Sequence, residues 1–338
     1  MIPEEKNASV ARALRETFGV TELENIRKMT KGLSSDLVFR IVVHGSPFLL
    51  RIMTRMDEIT CMKAAAEAGL GPRTLYCDTE DGIAIINFIE AVRFPPTRAL
   101  VLLPRTLRRL HRLAPFPNAF NYVTAHNGFI WRFRAAGLLA HCEVEEVFRR
   151  YEQICAAYPG VDSDLVSCHM DLKPENILFD GSRVWLVDWM AASLNDRFFD
   201  LAIVANFVVT NDAEERTYLE EYFGQPPDEY QLARFFLMRQ VLRMFAAAIF
   251  LLLGSAGKPI HRNEDPPSFC GFQERIWAGE VDLADNNLKI AYGMVHWEQL
   301  LRNVRQTQFD EALRTVSDRH PCREGVRRLL PFAPKSHG

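Results

Sequence analysis

Residues 169–188 read HMDLKPENILFDGSRVWLVD, and this stretch decides the fold. It contains two apolar runs separated by Asp180 and a glycine, a pair typical of a tight hairpin turn. A hairpin brings its two open ends together, so we expect Asn176 and Asp188 to lie close in space. Asp171 should lie on the loop that precedes the hairpin.

Two carboxylates and an amide oxygen on one small surface suit phosphoryl transfer. That reaction needs a carboxylate to orient a hydroxyl nucleophile and accept its proton, and hard oxygen ligands for Mg²⁺ at the nucleotide phosphates. Its position predicts Asp171 as the catalytic carboxylate, with Asn176 and Asp188 as the metal ligands. Lys173 is a second catalytic candidate because it could stabilise charge on the transferred group; the alternative is a solvated lysine.

The motif also resembles a known family. The pattern His-x-Asp-x-x-x-x-Asn over 169–176, followed by a hairpin and Asp188, is similar to the catalytic core of the kinase superfamily. The residues after Asp188 are Trp-Met rather than Phe-Gly, and no Ala-Pro-Glu follows. Phe-Asp-Leu-Ala occurs instead at 199–202. This combination resembles the aminoglycoside phosphotransferase and choline kinase group, which phosphorylates small molecules.

The resemblance implies an α+β, two-lobe, protein-kinase-like fold. Residues 1–92 would form the nucleotide-binding lobe, a small antiparallel β-sheet with one main helix, and would end in the hinge. Residues 93–338 would form a larger, mostly helical lobe that carries the catalytic loop, at 169–188, and the acceptor-binding helices. ATP and Mg²⁺ are the implied cofactors, and the hydroxyl of a small molecule is the implied acceptor.

Phosphate contacts are expected in the first lobe. The turn that contains Gly32, Ser34 and Ser35 is similar to the phosphate loop of choline kinases, in which backbone N–H groups approach the phosphates. An ordinary hairpin turn is the alternative. Arg51 stands on the strand where the family places a cation for the α- and β-phosphates, and an exposed strand arginine is the alternative.

The helix after that strand, predicted at about 57–68, should carry a carboxylate that orients Arg51. Glu58 is the preferred partner, because it lies at the family's spacing ahead of the Gly-Leu-Gly-Pro at 69–72. Glu67 is the rival, on the opposite face of the helix.

The hinge is predicted at the end of the strand that begins at residue 82. By resemblance, backbone groups of Asn87, Phe88 and Ile89 would meet the adenine. Two prolines at 95 and 96 then break the strand.

Hydrophobic periodicity predicts helices through the rest of the chain, at 97–113, 144–158, 213–223, 228–253, 272–277, 283–305 and 309–316. Basic pairs such as Arg108 and Arg109 are predicted to be solvated faces. Asp200 is predicted to start a helix. Trp277, Tyr292 and Trp297 are candidate walls of an acceptor pocket, since aromatic side chains suit a cationic acceptor; core packing is the alternative.

Bulk composition excludes several classes of protein. A net charge of −3 over 338 residues gives no support for a nucleic-acid partner. The seven cysteines include no Cys-x-x-Cys pair, which indicates reduced thiols and a cytoplasmic protein. The N-terminus lacks a signal peptide's apolar stretch. The longest apolar run, 244–253, is too short to span a bilayer. Oligomeric state is left open.

The sequence therefore predicts an ATP- and Mg²⁺-dependent phosphotransferase of the choline/ethanolamine kinase or aminoglycoside phosphotransferase type. One alternative is protein Ser/Thr kinase-like activity, favoured by the run 171–176 and opposed by the missing Ala-Pro-Glu. Another is a nucleotide-binding, non-catalytic homologue, opposed by the intact aspartates and asparagine of the motif. Met190 stands where choline kinases usually carry an acid, so choline, ethanolamine, aminoglycosides, thiamine and sugars all stay open as acceptors. The choice between ATP and GTP also stays open.

Overall fold

The computed structural model describes residues 2–29, 37–54, 58–117, 122–158, 165–260 and 267–319. The chain divides into two compact units, one made of residues 1–118 with 167–193 and the other of residues 119–166 with 194–338. The first unit is therefore built from two separate stretches of chain and includes the motif at 169–188. The predicted lobe boundary after residue 92 stays a prediction.

A five-stranded antiparallel sheet forms the centre of the first unit, in the spatial order β1-β2-β3-β5-β4. Its strands are β1 (Asn25–Met29), β2 (Leu37–Val43), β3 (Ser46–Ile52), β4 (Thr74–Asp78) and β5 (Ile83–Asn87). Side chains alternate between the two faces of a strand, and in β2 the alternate residues Phe39, Ile41 and Val43 are buried. Helix α1 (Asn7–Phe18) packs Val10 and Leu14 against this face.

Two further helices of this unit are α2 (Ile59–Glu67) and α3 (Pro96–Leu110). The strand β6 (Leu165–Cys168) then leads into the catalytic loop. The predicted hairpin follows as β7 (Ile177–Phe179) and β8 (Val184–Leu186), which pair in antiparallel register. The hairpin prediction is therefore confirmed.

Asp180 holds the hairpin turn together. Its Oδ1 accepts hydrogen bonds from the backbone N–H groups of Ser182 (2.8 Å) and Arg183 (2.9 Å), and its Oδ2 accepts from Trp185 Nε1 (2.7 Å). Burial raises the pKa of Asp180, but these bonds to the ionised form outweigh it and hold the pKa well below its usual range. The turn therefore depends on one ionised carboxylate.

The strand β9 (Ser193–Asp196) begins in the last residue of the first unit. The second unit is helical, with α8 at its centre and α4, α5, α6, α10 and α11 packed against it. Its helices are α4 (Tyr122–Ala135), α5 (His141–Ala157), α6 (Arg197–Val208), α7 (Asp212–Phe223), α8 (Glu229–Ser255), α9 (Phe269–Trp277), α10 (Asn286–Val304) and α11 (Thr307–Arg319). Together with the antiparallel sheet, these helices confirm the predicted α+β class.

By length and composition alone, α8 could cross a membrane, but 67% of its apolar window is buried within the protein. Packing in the core of the second unit accounts for its hydropathy. Two glycines allow α10 to approach α8 closely: a Cβ on Gly293 would lie 2.7 Å from Leu251 Cγ, and one on Gly254 would lie 2.8 Å from Ile290 Cγ1.

Two sequence predictions for the second unit need correction. Asp196, not Asp200, caps α6: its Oδ1 accepts from Phe198 N at 2.8 Å, while Asp200 lies buried in the first turn. Trp297 is fully buried and packs on the ring of Phe133.

Tyr292 is also a core residue, stacked on Phe272 in a buried cluster. Trp277 is half-buried and its ring lies near Phe207. The alternative of core packing is therefore correct for Trp297 and Tyr292, and these two aromatics form no wall of an open pocket.

Candidate active site

Asp171 lies at the centre of a compact polar network on the catalytic loop. Its Oδ2 accepts hydrogen bonds from Lys173 Nζ at 2.7 Å and from Asn176 Nδ2 at 3.0 Å. No described residue bonds to its Oδ1, and 38% of the side chain is exposed to solvent. One carboxylate oxygen therefore fixes the orientation of the group, while the other is available to a ligand hydroxyl.

Lys173 is held in the charged state by its neighbours. Partial burial lowers the pKa of Lys173, but the adjacent carboxylate of Asp171, with contributions from Asp188 and Glu175, outweighs this and raises the pKa above its ordinary value. The ammonium group therefore stays cationic beside Asp171 at physiological pH, as the sequence-based role in charge stabilisation requires.

The open end of the hairpin brings the two predicted metal ligands to one place. Val187 N donates to Asn176 O at 3.1 Å, so the chain segments that carry Asn176 and Asp188 are joined directly. Asn176 Nδ2 donates to both the backbone oxygen and the carboxylate of Asp171, which turns its Oδ1 the other way. Asp188 Oδ1 is buried without a hydrogen-bond partner among the described residues.

A buried carboxylate oxygen without a partner is costly, and such an atom in a folded protein calls for an explanation. Amide and carboxylate oxygens are the ligands that Mg²⁺ prefers. The donor set of Asn176 and Asp188 therefore fits a magnesium ion, which would supply the missing partner of Asp188 Oδ1.

Backbone strain accompanies these side chains. Met170 and Asp188 adopt φ values of 69° and 67°, in the left-handed region that non-glycine residues rarely occupy. Such strain persists only where the surrounding structure enforces it, and it is frequent at functional sites. Here the two strained residues are the one directly before Asp171 and the predicted metal ligand Asp188 itself.

His169 has the structural role predicted for it. Its Nε2 donates to Val187 O at 3.0 Å, and its Nδ1 accepts from Asp171 N at 3.3 Å. Its ring also packs beside that of Trp189, at a centroid separation of 4.6 Å. The imidazole thus ties the catalytic loop to the end of the hairpin.

Arg51 and Glu58 form a buried ion pair, with Arg51 Nη2 2.7 Å from Glu58 Oε1. Only 8% of the Arg51 side chain and none of the Glu58 side chain is exposed. Glu58 directly precedes α2, whereas Glu67 at the other end of that helix is exposed. The preferred pairing is therefore confirmed, while the phosphate role of Arg51 stays a prediction.

The remaining nucleotide contacts stay predictions. Gly32, Ser34 and Ser35 lie outside the described residues. The backbone N–H of Asn87 donates to Arg73 O at 2.9 Å, so that donor is used within the protein. The ring of Phe88 lies 5.1 Å from the Arg40 guanidinium. Ile89 follows as a half-buried residue just after β5.

Comparison with known proteins places this geometry in a family. A model of the phosphotransferase enzyme family matches residues 25–236, which is more than half of the chain. The chain belongs to the phosphotransferase enzyme family. The matched region includes the Arg51–Glu58 pair and the whole motif at 169–188. The family resemblance inferred from the sequence is therefore confirmed.

Individual relatives agree with this assignment. The LicA protein of Haemophilus influenzae is 26% identical over 215 residues, which cover 56% of this chain and 62% of that protein. The chain thus matches less than two thirds of the length of this relative.

Two solved structures show the same kinase-like fold. A choline/ethanolamine kinase family protein from Mesorhizobium loti aligns with a TM-score of 0.65 at 20% identity, covering 91% of this chain and 98% of that one. The choline kinase LicA from Streptococcus pneumoniae aligns with a TM-score of 0.55 at 17% identity, covering 83% and 99%. At these identities the likeness shows the fold, so the reaction has to be argued from the site.

Proposed function

We propose that this phosphotransferase transfers the γ-phosphoryl group of ATP, with Mg²⁺, to the hydroxyl of a small molecule. The observation that carries the proposal is a pair of carboxylates with different surroundings, one on the loop before the hairpin and one just after it. Asp171 is oriented through one oxygen and offers the other, and Asp188 has a buried oxygen without a partner among the described residues. These are the two carboxylate roles that phosphoryl transfer requires.

Asp171 Oδ1 orients the acceptor hydroxyl and takes its proton. The acceptor oxygen forms a bond to the γ-phosphorus as the bond from that phosphorus to the bridging oxygen breaks, and ADP leaves with the bonding pair. Lys173 lies beside Asp171 as a fixed cation that stabilises negative charge on the transferred group. Asp171 and Lys173 are already oriented before the reaction, so little free energy is needed to reorient them as charge develops.

Asn176 Oδ1 and the Asp188 carboxylate would hold Mg²⁺ against the phosphates. The ion supplies charge neutralisation on the phosphate oxygens. Arg51, kept in place by Glu58, would contact the α- and β-phosphates from β3. The backbone of Gly32, Ser34 and Ser35 would complete the phosphate site. Adenine would meet the Asn87 carbonyl and the backbone groups of Phe88 and Ile89.

The proposed acceptor is an amino alcohol such as choline or ethanolamine. This choice is supported by the relatives: LicA of Streptococcus pneumoniae is a choline kinase, and the Mesorhizobium loti structure belongs to the choline/ethanolamine kinase family. It rests on similarity, since the aromatic residues Tyr292 and Trp297 lie in the core and do not form a cation-binding box.

The test is ADP release from Mg-ATP with a panel of choline, ethanolamine, aminoglycosides, thiamine and sugars. We expect choline or ethanolamine to raise ADP release far above the rate without acceptor, and Asp188→Ala to abolish the increase. Asp180→Asn is the matched control: the carboxylate of Asp180 bonds to the turn and to Trp185 and to no proposed ligand, so acceptor-dependent release should persist. An Asp188→Ala variant with undiminished acceptor-dependent release, or no active acceptor in the panel, would contradict the proposal.

A further inference from the structure

The carbonyl groups that directly follow α2, at residues 68–70, bind α3 and the catalytic hairpin. Arg109 Nη2 on α3 donates to Ala68 O at 2.7 Å, and Arg183 Nη2 on the hairpin donates to Gly69 O at 3.1 Å. Both guanidinium groups lie over Gly69, where an added Cβ would be 3.5 Å from Arg183 and 3.9 Å from Arg109. Two surface cations therefore converge on the end of one short helix.

A backbone bond completes the attachment. Leu186 N on β8 donates to Leu70 O at 2.8 Å, so three consecutive carbonyl groups after α2 each have a donor from another element. The carbonyl end of a helix carries partial negative charge, which favours arginine side chains at this position. These carbonyls would otherwise need water or a cap.

Arg183 is held ready for this bond by its own hairpin. Its guanidinium stacks on the ring of Trp185 at 3.7 Å, and Trp185 Nε1 donates to Asp180 Oδ2 at 2.7 Å. Arg183 is exposed, and an exposed arginine side chain loses rotamer freedom when it is fixed. The Trp185 ring, which is held by the Asp180 carboxylate, restricts the Arg183 side chain before it binds Gly69 and so reduces this loss of entropy.

The opposite end of α2 carries Glu58, which holds Arg51. The helix has nine residues, so it is about 13.5 Å long at 1.5 Å per residue. We expect a helix of about two and a half turns to move as one rigid element, so that a displacement at one end also shifts the other. The predicted phosphate-binding cation and the predicted metal-binding hairpin are thus joined through a single helix.

We propose that Arg109 and Arg183 are positioning residues that fix the end of α2 to α3 and to the catalytic hairpin, respectively, and thereby place the Glu58 carboxylate that orients Arg51. The expected effect on nucleotide binding and turnover rests on the proposed function, whereas the expected loosening of α2 does not. Loss of both arginines leaves the catalytic groups unchanged but loosens α2, so nucleotide binding suffers and the acceptor step does not. A role in global stability alone would affect both steps and all regions equally.

The test compares Arg109→Ala/Arg183→Ala with the double lysine variant Arg109→Lys/Arg183→Lys, since lysine can still donate one bond to a carbonyl. Arg98→Ala is the matched control: Arg98 donates to Gly181 O at 3.0 Å, on the same hairpin turn. Amide hydrogen exchange of residues 58–67, ADP titration and steady-state kinetics with ATP are measured for each variant.

In the double alanine variant we expect exchange of the α2 amides to accelerate by roughly 5- to 30-fold, the factor for losing one or two charge-assisted bonds. ADP affinity should fall and the KM for ATP should rise by a similar factor, with kcat nearly unchanged. The double lysine variant should recover most of each effect, and Arg98→Ala should show none.

Unchanged α2 exchange in the double alanine variant would overturn the proposal, and so would an equal effect from Arg98→Ala. If the wild-type protein binds no ADP, the proposed function fails, and the exchange measurement alone still decides whether the two arginines fix α2.

Discussion

Arg51 in the first unit and Arg243 in the second are both almost fully buried, at 7% and 4% exposure, but they have different partners. Arg51 contacts the Glu58 carboxylate at 2.7 Å. Arg243 donates to the Gln240 amide oxygen at 3.1 Å and lies 5.0 Å from the Phe269 ring centroid. Among the described residues it has no carboxylate partner.

The electrostatic consequences differ accordingly. Burial, with a further contribution from Arg239, holds the pKa of Arg243 well below its ordinary value. Its neighbour His296 is also affected: burial, then the charge of Arg243, lowers the pKa of His296 to about 3. A buried cation is thus stabilised when a carboxylate pairs with it, and its charged form is disfavoured when only amides and rings surround it.

The residues proposed to act in catalysis and nucleotide binding lie in the first unit, so the largest expected effects lie there. Asp171→Asn should lower kcat by roughly 10²–10⁴-fold, the usual contribution of a positioned base, while ADP affinity with Mg²⁺ stays close to that of the wild type. Asp188→Ala should weaken Mg-dependent ADP binding as well as turnover. Titration of ADP with and without Mg²⁺, together with kcat for each variant, measures both roles.

Raised Mg²⁺ should restore part of the activity of Asp188→Ala and none of that of Asp171→Asn. The two roles are reversed if Asp171→Asn loses Mg-dependent binding while Asp188→Ala keeps it.

The next largest effect concerns the paired arginine. Glu58→Ala leaves Arg51 buried without its carboxylate, and we expect the free energy of unfolding to fall by about 3–5 kcal/mol. The double variant Arg51→Met/Glu58→Met removes both charges and should lose less stability than Glu58→Ala, yet still lose ADP affinity. Urea unfolding and ADP titration separate the two quantities. A double variant that binds ADP like the wild type would remove the phosphate role of Arg51.

The smallest effect tests the second unit through pH. The folded-state pKa of His296 lies below its unfolded value of about 6.5, so its contribution to stability is present above pH 6.5 and is lost as the pH falls towards 3. Between pH 7 and pH 5 this amounts to about 2 kcal/mol. Urea unfolding of wild type and His296→Gln at both pH values should show a smaller loss in the variant.

Arg243→Met should also reduce this loss, because it removes a charge that opposes protonation of His296. If both variants keep the wild-type pH dependence, His296 does not cause the loss of stability at low pH and Arg243 does not influence it.

Local patterns explain which parts of this protein could be predicted. The hairpin around Asp180 depends on residues that all lie within the segment 177–186, and the Glu58 partner followed from a spacing that the family shares. The α4 helix, 122–135, was not predicted, because its glycine, asparagine and aromatic residues give no clear apolar face. The two successful predictions thus concern contacts that are near in sequence or follow a spacing shared by the family.

Tertiary contacts decided what the sequence left open. Arg109 is exposed, as predicted, but the carbonyl that it binds lies 41 positions away in sequence. Trp297 was a candidate pocket wall, and only its contact with Phe133 on another helix shows that it is buried. No periodicity within one helix identifies a partner on another element.

The discontinuity of the first unit has a consequence for synthesis on the ribosome. Residues 1–118 supply its sheet and first helices, but the hairpin that binds α2 arrives only within residues 167–193. At about 5–20 residues per second, translation from residue 118 to residue 193 takes roughly 4–15 s. During that interval the nascent sheet and α2 exist without Leu186 and Arg183. The first unit can therefore be completed only after the ribosome has begun the helices of the second unit.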